Sequence, residues 1–555
     1  MEMITLFCKN LQRYDDFPIG SSLQEIASYY ESQLGFKPIN AQVNNKTTCL
    51  VAKMYEPADI LFIGLAHESG MRTYMRSLSF VLSKAVEDVL PGSHLYIEHS
   101  LARGYYCEIR NSHEVTPEDV LLVKNRADEI IKQDSPFVTH MVRTEIAVEI
   151  FKAQNLLDKC NLLETIGAPY TEYVELDGYI DYYYGCLVPS TGYLKVFDFI
   201  PWGNGALMQL PQSSNPLCIE EAIPQPMMGK VFEEQNKLLK MFGAKYVGSL
   251  NKLIEKREID MAVQVAEAVQ EKQIAGIAAE IARRYTESGA RIILISGPSS
   301  SGKTTFCKRL MIQLVTNYLR PHGISLDDYF VDRELTPKDD LGEYDFESLH
   351  ALDLPFLNQQ VKEILNNEEV TVPSFDFEQG KRIFKNKKLK LGTGDVLVME
   401  GIHALNPDLL PDIPVESTFK IYVSALTGIA LDSHNRIPST DNRLIRRMVR
   451  DSKYRGYSAI DTIARWPSVR RGEEKWVFPY QENADAMFNS AMLYELAALR
   501  PYAEPLLLEV PCNVPEYAEA QRLLRFLAYF RFIPNRLMPN VSLIREFLGG
   551  STFRY

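Results

Sequence analysis

The stretch Gly297-Pro-Ser-Ser-Ser-Gly302-Lys303-Thr304-Thr305 places two glycines, a lysine and a run of hydroxyl residues at the spacing GxxxxGK(S/T). That spacing suits phosphate. Backbone N–H groups of Gly297, Ser299, Ser300, Ser301, Gly302 and Thr305 can ring an anion, Lys303 can reach the outer oxygens, and Thr304 offers a hydroxyl to Mg²⁺. Two acidic positions follow, Asp327 with Asp328 in GISLDDYF and Glu400 in DVLVMEGIHAL. Transfer of a phosphoryl group to an alcohol needs a carboxylate for the hydroxyl proton and acids for the metal. The plain alternative for each acid is a solvated strand end.

Such groups need a framework that brings them together. Apolar, β-rich runs at residues 292–296, 323–326, 395–399 and 419–424 alternate with helical segments, which predicts an α/β fold with a parallel sheet. In such a sheet the carboxyl ends of the strands line the ligand crevice, so both acids should meet the phosphate loop. Upstream, the periodicity predicts a strand at 3–7, a helix at 22–34 capped by Ser21 or Ser22, strands within 41–53, and a helix from Ser69 to the Pro91-Gly92 stop. A helical stretch at 232–285 connects the two halves.

Bulk properties set limits. A chain of 555 residues exceeds one hydrophobic core. It carries a formal charge of −12, which opposes broad nucleic-acid binding and leaves local basic patches such as LIRRMVRDSKYRG. No apolar run nears the roughly 20 residues that cross a bilayer. The start MEMITLFCKN lacks signal-peptide features, and eight scattered cysteines show no CxxC pair, so the expectation is a cytoplasmic protein without a membrane partner.

From residue 291 to 492 the chain resembles the uridine kinase and phosphoribulokinase family of P-loop kinases. The resemblance rests, in order, on the phosphate loop, LDDYF, VPSFDFEQGKR, VLVMEGIHAL, DNRLIRRMVRDSKYRG and FPYQENADAMFNSA. It implies ATP and Mg²⁺ as cofactors, Asp327 as base toward the acceptor hydroxyl, and Thr304, Asp327 and Glu400 around the metal. It also implies a lid carrying Arg443, Arg447, Arg450 and Arg455 toward the phosphates; a solvated cationic face or an RNA contact is the other reading of that helix.

The acceptor side departs from the pyrimidine nucleoside kinases. Phe375 stands where they carry tyrosine and Gly380 where they carry histidine, which removes a base-reading donor. Asp345, Phe375, Asp376 and Arg382 are the candidate acceptor residues, with Glu347 beside Asp345. The segment ARWPSVRRGEEKWVFPY mixes Arg465, Arg470, Arg471 and Lys475 with Trp466 and Trp476; it stacks a base or packs a lid.

The front half resembles the N-terminal portion of threonyl-tRNA synthetases. SSLQEIASYYESQLG resembles their small ubiquitin-like TGS domain. RSLSFVLSKAVEDVLPG, GYYCEI and DGYIDYYYGCLVPSTGYLKVFDF resemble their α+β editing domain. The resemblance places Arg76 and Phe80 at the editing HxxxH positions, Tyr183 at the cysteine and Leu187 at the last histidine, and so implies lost editing chemistry. His67, His94, His99 and Cys186 lie nearby as separate surface or core residues.

The expected organisation is TGS-like at 1–62, editing-like at 63–215, a helical connector at 216–288, P-loop kinase at 289–500 and a helical extension at 501–555. The expected activity is phosphorylation of a nucleoside-like hydroxyl, with a sugar phosphate as another acceptor. The rival is a tRNA- or ribosome-associated NTPase. An RNA contact by the front half and a homo-oligomer stay open.

Overall fold

The structure is a computed structural model that describes residues 2–110, 114–338, 342, 344–376 and 379–554. Its central feature is a five-stranded sheet in the order Arg320–Ser325, Asp395–Glu400, Ile292–Ser296, Thr418–Ser424, Ala486–Asn489. Every pairing in it is parallel. The three middle strands are buried almost throughout, because helices cover both faces. The fold is therefore α/β, as the alternation of short apolar runs with helices predicts.

The chain begins with a mixed five-stranded sheet in the order Arg13–Pro18, Met3–Cys8, Ala58–Ile63, Asn40–Val43, Lys46–Thr48. The helix Leu23–Leu34 packs its Leu23, Ile26, Ala27 and Tyr30 into that sheet's core. Ser22 caps it, in a reciprocal capping box with Glu25. The expected strand region at 41–53 is a tight hairpin. Asn44 and Asn45 turn it at φ 48 and 58, the left-handed pair that a two-residue hairpin loop requires.

Next, the 22-residue helix Glu68–Val89 lies in a core with the antiparallel strands His94–Leu101, Gly104–Arg110, Gly205–Gln209 and Asp198–Trp202. A separate antiparallel sheet joins Val138–Arg143, Tyr170–Leu176 and Tyr179–Asp181. The predicted helical stretch resolves into Pro226–Met241, Val247–Glu255 and the 30-residue Ile259–Ser288. At the C-terminal end, Glu495–Leu508, Tyr517–Leu527 and the short Arg545–Leu548 are helical. Among the described residues, no helix is long and apolar enough to cross a membrane.

One buried apolar cluster runs from Ala147 and Leu163 through Val263 and Ile281 to Ile293, Phe419, Leu444 and Phe547. The front half, the connector, the parallel sheet and the C-terminal segment therefore share a core. A charge cluster crosses the same junction. Lys159 donates to Asp181 at 2.7 Å and to Asp432 at 3.2 Å, and His434 Nδ1 meets Asp181 at 2.5 Å, all essentially without exposure. Burial alone would raise the Asp181 pKa; His434 and Lys159 overcome that and hold it down. The segment around Asp432 is pinned further by Ser433 N–H donating to Asp158 and Ile97 N–H donating to the Ser433 carbonyl.

Removing one member of such a group strands the others as buried, unpaired charge. Lys159→Met is expected to destabilise the protein by about 3–5 kcal/mol. Urea unfolding followed by far-ultraviolet circular dichroism and tyrosine fluorescence checks it. Loss of only the front half's structure, with the sheet intact, would contradict the shared core.

Candidate active site

The phosphate loop leaves the strand Ile292–Ser296 and enters the helix Lys303–Thr316, whose N-cap is Gly302 at φ 86. Glycine is required at the loop's start. A Cβ on Gly297 would fall 1.9 Å from the Val423 carbonyl oxygen. Ser300 adopts φ 57, which helps turn successive N–H groups toward one concavity. Lys303 lies back across the loop, its Nζ donating to the carbonyls of Gly297 at 2.7 Å and Pro298 at 3.0 Å.

Two strand ends bring acids to this lysine. Asp327 sits in the turn Leu326–Tyr329 directly after Arg320–Ser325, and Glu400 ends its own strand. Thr304 Oγ1 donates to Glu400 at 3.2 Å. Burial pushes the Glu400 carboxyl up to about 7 against the opposing field of Lys303. Asp327 reaches solvent, yet surrounding protein raises its pKa, again with Lys303 opposing. Burial lowers the Lys303 pKa, countered by Glu400, Asp327, Glu546 and Glu473 in that order.

The last two carboxylates come from distant sequence. Glu473, on the helix Ala459–Trp476, accepts from Ser299 N–H at 3.0 Å. Glu546, near the chain's end, accepts from Thr305 Oγ1 at 2.6 Å and Thr305 N–H at 3.3 Å. Leu543 lies so close that a Cβ on Gly302 would come within 2.2 Å of it. The loop's anion donors are thus shared with carboxylates of this chain. Sequence reasoning gave the 501–555 extension no role, because nothing local in it marks a contact 241 residues away.

The helix Ser439–Arg455 carries the four candidate arginines over the loop. Arg443 is fully engaged, paired with Glu473 and donating to the Ser299 carbonyl at 3.1 Å. Arg447 donates to Ser299 Oγ at 2.9 Å. Arg450 pairs with Asp451 at 2.8 Å, and Arg455, half exposed, approaches Asp451 at 3.5 Å. Both also act electrostatically on Asp327. The neighbouring tryptophans pack the lid. Trp466 is buried under the Arg443 guanidinium, and Trp476 lies edge-on to His350 and His403.

The acceptor-side candidates divide. Phe375 lies on the strand Ser374–Asp376, its N–H donating to Asp328 at 3.2 Å and its ring edge-on to Phe330. Asp376 caps its own turn through Gln379 N–H. Arg382 is occupied elsewhere, donating to Asp353 at 2.9 Å and to the Phe330 carbonyl at 3.1 Å with its plane over Phe356. Gly380 has φ 68, and a Cβ there would meet Arg333 at 2.8 Å. Phe377 and Glu378 of the same loop lie outside the described residues. Asp345 accepts from Glu347 N–H at 3.2 Å.

Glu347 itself faces the cluster. Burial, with Glu473 adding to it, pushes its carboxyl up to about 7 despite Arg447. The helix Ala459–Trp476 closes over it at Gly472, where a Cβ would stand 2.3 Å from Glu347 Cβ.

Residues 292–496 match the Phosphoribulokinase / Uridine kinase family. A uridine kinase of Staphylococcus aureus is 30% identical over 198 residues, 35% of this chain and 84% of that one. A threonine–tRNA ligase of Carboxydothermus hydrogenoformans is 25% identical over 190 residues, 33% of this chain and only 29% of the ligase. The solved structure described as a possible uridine kinase from Bacillus stearothermophilus aligns at a TM-score of 0.25 and 17% identity, over 36% of this chain and 88% of that one.

The raised Glu347 pKa has a testable sign. A folded-state value near 7 against 4.5 means the folded protein holds the proton more tightly, so stability is lost as pH climbs from about 4.5 to 7 and stays low above it. Glu347→Gln is expected to be more stable than the parent at pH 8 by about 1–3 kcal/mol, with the gap closing toward pH 5. Melting temperatures across pH 5–8 check this; parallel curves for the two proteins would refute it.

Proposed function

The chain belongs, through residues 292–496, to the phosphoribulokinase and uridine kinase family, and from that premise we propose that it transfers the γ-phosphoryl of ATP to a hydroxyl of a nucleoside, the 5′-hydroxyl by likeness to uridine kinases. The observation that carries the reading is the meeting of Lys303, Thr304, Asp327 and Glu400 at the carboxyl ends of adjacent parallel strands, beneath an arginine-bearing helix.

Each residue has work suited to its chemistry. The loop's N–H groups and Lys303 hold the phosphates. An Asp327 oxygen takes the acceptor's proton as the hydroxyl oxygen forms its bond to phosphorus and the bond to the leaving diphosphate breaks. Arg447 and Arg450 offset charge spreading over the transferred group, while Arg443 braces the loop through Ser299 and Arg455 stands at the helix end. Thr304, Asp327 and Glu400 supply hard oxygen donors that would hold Mg²⁺, which would supply positive charge against the phosphates. Phe375 and Asp345 remain the acceptor-side candidates, whereas Arg382 is held by Asp353 and the Phe330 carbonyl.

Residues 1–62 and 63–215 are assigned here as TGS-like and editing-like. The partial match to a tRNA ligase and the mixed N-terminal sheet support this. Editing chemistry is not assigned. Phe80 and Tyr183 stack at 5.6 Å in the core with Leu187, and among the described residues no group of three His, Cys, Asp or Glu stands ready for a metal.

The same ligase match favours the second reading, an RNA-linked NTPase. Incubation of the full chain with ATP, Mg²⁺ and a panel of ribonucleosides separates the two. Formation of a nucleoside monophosphate without RNA supports the kinase; hydrolysis that appears only with RNA supports the other. Lys303→Ala and Asp327→Asn are expected to lower turnover by on the order of 10²–10⁴ with unchanged melting; near-normal turnover by Asp327→Asn would remove it as the base. Since phosphate at Thr305 displaces the Glu546 carboxylate, Glu546→Gln should lower KM for ATP several-fold at similar kcat, and an unchanged or raised KM would refute that competition.

A further inference from the structure

A cleft of about 1240 Å³ separates the front half from the kinase half. Its walls come from the helix Glu68–Val89, the turn around Gly185, the helix Tyr517–Leu527 and the start of the lid helix. Lys303, Thr304, Asp327, Glu347 and Glu400 do not line it.

Most cations on its wall are satisfied. Arg72 pairs with Glu519 at 2.9 Å, Arg522 with Asp441 at 2.7 Å, and Arg103 with Glu220 at 2.8 Å. Arg76 is different. Its Nε and Nη1 are sealed from solvent and make no hydrogen bond among the described residues. Burial lowers its pKa; Tyr184 and Cys186 oppose that, and Arg72 and Arg522 add to it. The adjacent thiols, Cys49 and Cys186, hydrogen-bond to each other instead. Space is kept for the guanidinium, since a Cβ on Gly185 would stand 2.9 Å from Nη1.

Guanidinium nitrogens shut from solvent with no hydrogen-bond partner are costly, and the group's flat fork matches an oxyanion with two acceptor oxygens. Tyr184 lies beside it, and Met71, Met75 and Phe232 supply apolar wall in the same cleft. We propose that this cleft binds a small organic anion, a carboxylate or a phosphate ester, with the charged group on Arg76 and the body against the tyrosine and methionine wall. The proposal stands apart from the kinase assignment, because no residue of the phosphate loop takes part.

The test uses the full chain carrying Lys303→Ala, so that phosphate held at the loop does not enter. Inorganic phosphate in one arm and succinate in the other are titrated calorimetrically. Saturable binding of at least one is expected, weakened at least about ten-fold by adding Arg76→Met, the scale of one charge-assisted pair. The ligand-free melting temperature should stay level or rise in Arg76→Met, because an unpaired charge has gone. Should Arg76→Met fail to fold, Arg76→Lys takes its place, with an intermediate loss expected. Phosphate binding alone identifies a phosphoryl ligand, and succinate binding alone a carboxylate. Unchanged affinity in the Arg76 variants, or no saturable binding of either anion below about 20 mM, overturns the proposal.

Discussion

One lysine held among four carboxylates sets the terms for the kinase half. Lys303 is half-buried, and Glu400, Asp327, Glu546 and Glu473 oppose the lowering of its pKa by desolvation. Lys303 in turn opposes the rise that burial gives the Glu400 and Asp327 carboxyls. The parallel sheet is what makes the arrangement affordable in geometry. Its strands end on one edge, so a loop, a turn and a strand terminus deliver Lys303, Asp327 and Glu400 to one point without long flexible arms.

The lid follows from the same electrostatics. Glu473 binds a loop N–H and Arg443 a loop carbonyl while the two pair with each other, so the loop's backbone is read by both signs of charge at once. Close helix approach then depends on Gly472, because any side chain there would strike Glu347. The arginine helix is accordingly part scaffold: Arg443 and Arg446 are buried and paired, and Arg447, Arg450 and Arg455 are more exposed.

Much of this was legible in the sequence where chemistry is written locally. The phosphate loop, Asp327 and Glu400 are recognisable because spacing and strand-end position carry the signal, and the strands at 292–296, 395–399 and 419–424 lie where apolar runs predict. Contacts set by tertiary approach left no such trace. Glu473 and Glu546 look like ordinary surface acids in sequence, and Arg382 looks like a substrate ligand until Asp353 and the Phe330 carbonyl claim it. The strands Arg13–Pro18 and Ala58–Ile63 escaped notice because the first has polar residues on its open face and the second merges into a loop-like, Pro-containing stretch. Gly380 is explained only by its left-handed φ and the approach of Arg333, neither of which spacing reveals.

The Lys159 cluster bears on the order in which this protein comes off the ribosome. Lys159 and Asp181 are made early, yet two of their partners, Asp432 and His434, lie about 250 residues further along. Until those residues emerge, both early charges stay hydrated and the surrounding helices cannot seal. The part of the front half around Lys159 and Asp181, although synthesised first, is therefore completed only when the segment carrying Asp432 and His434 arrives.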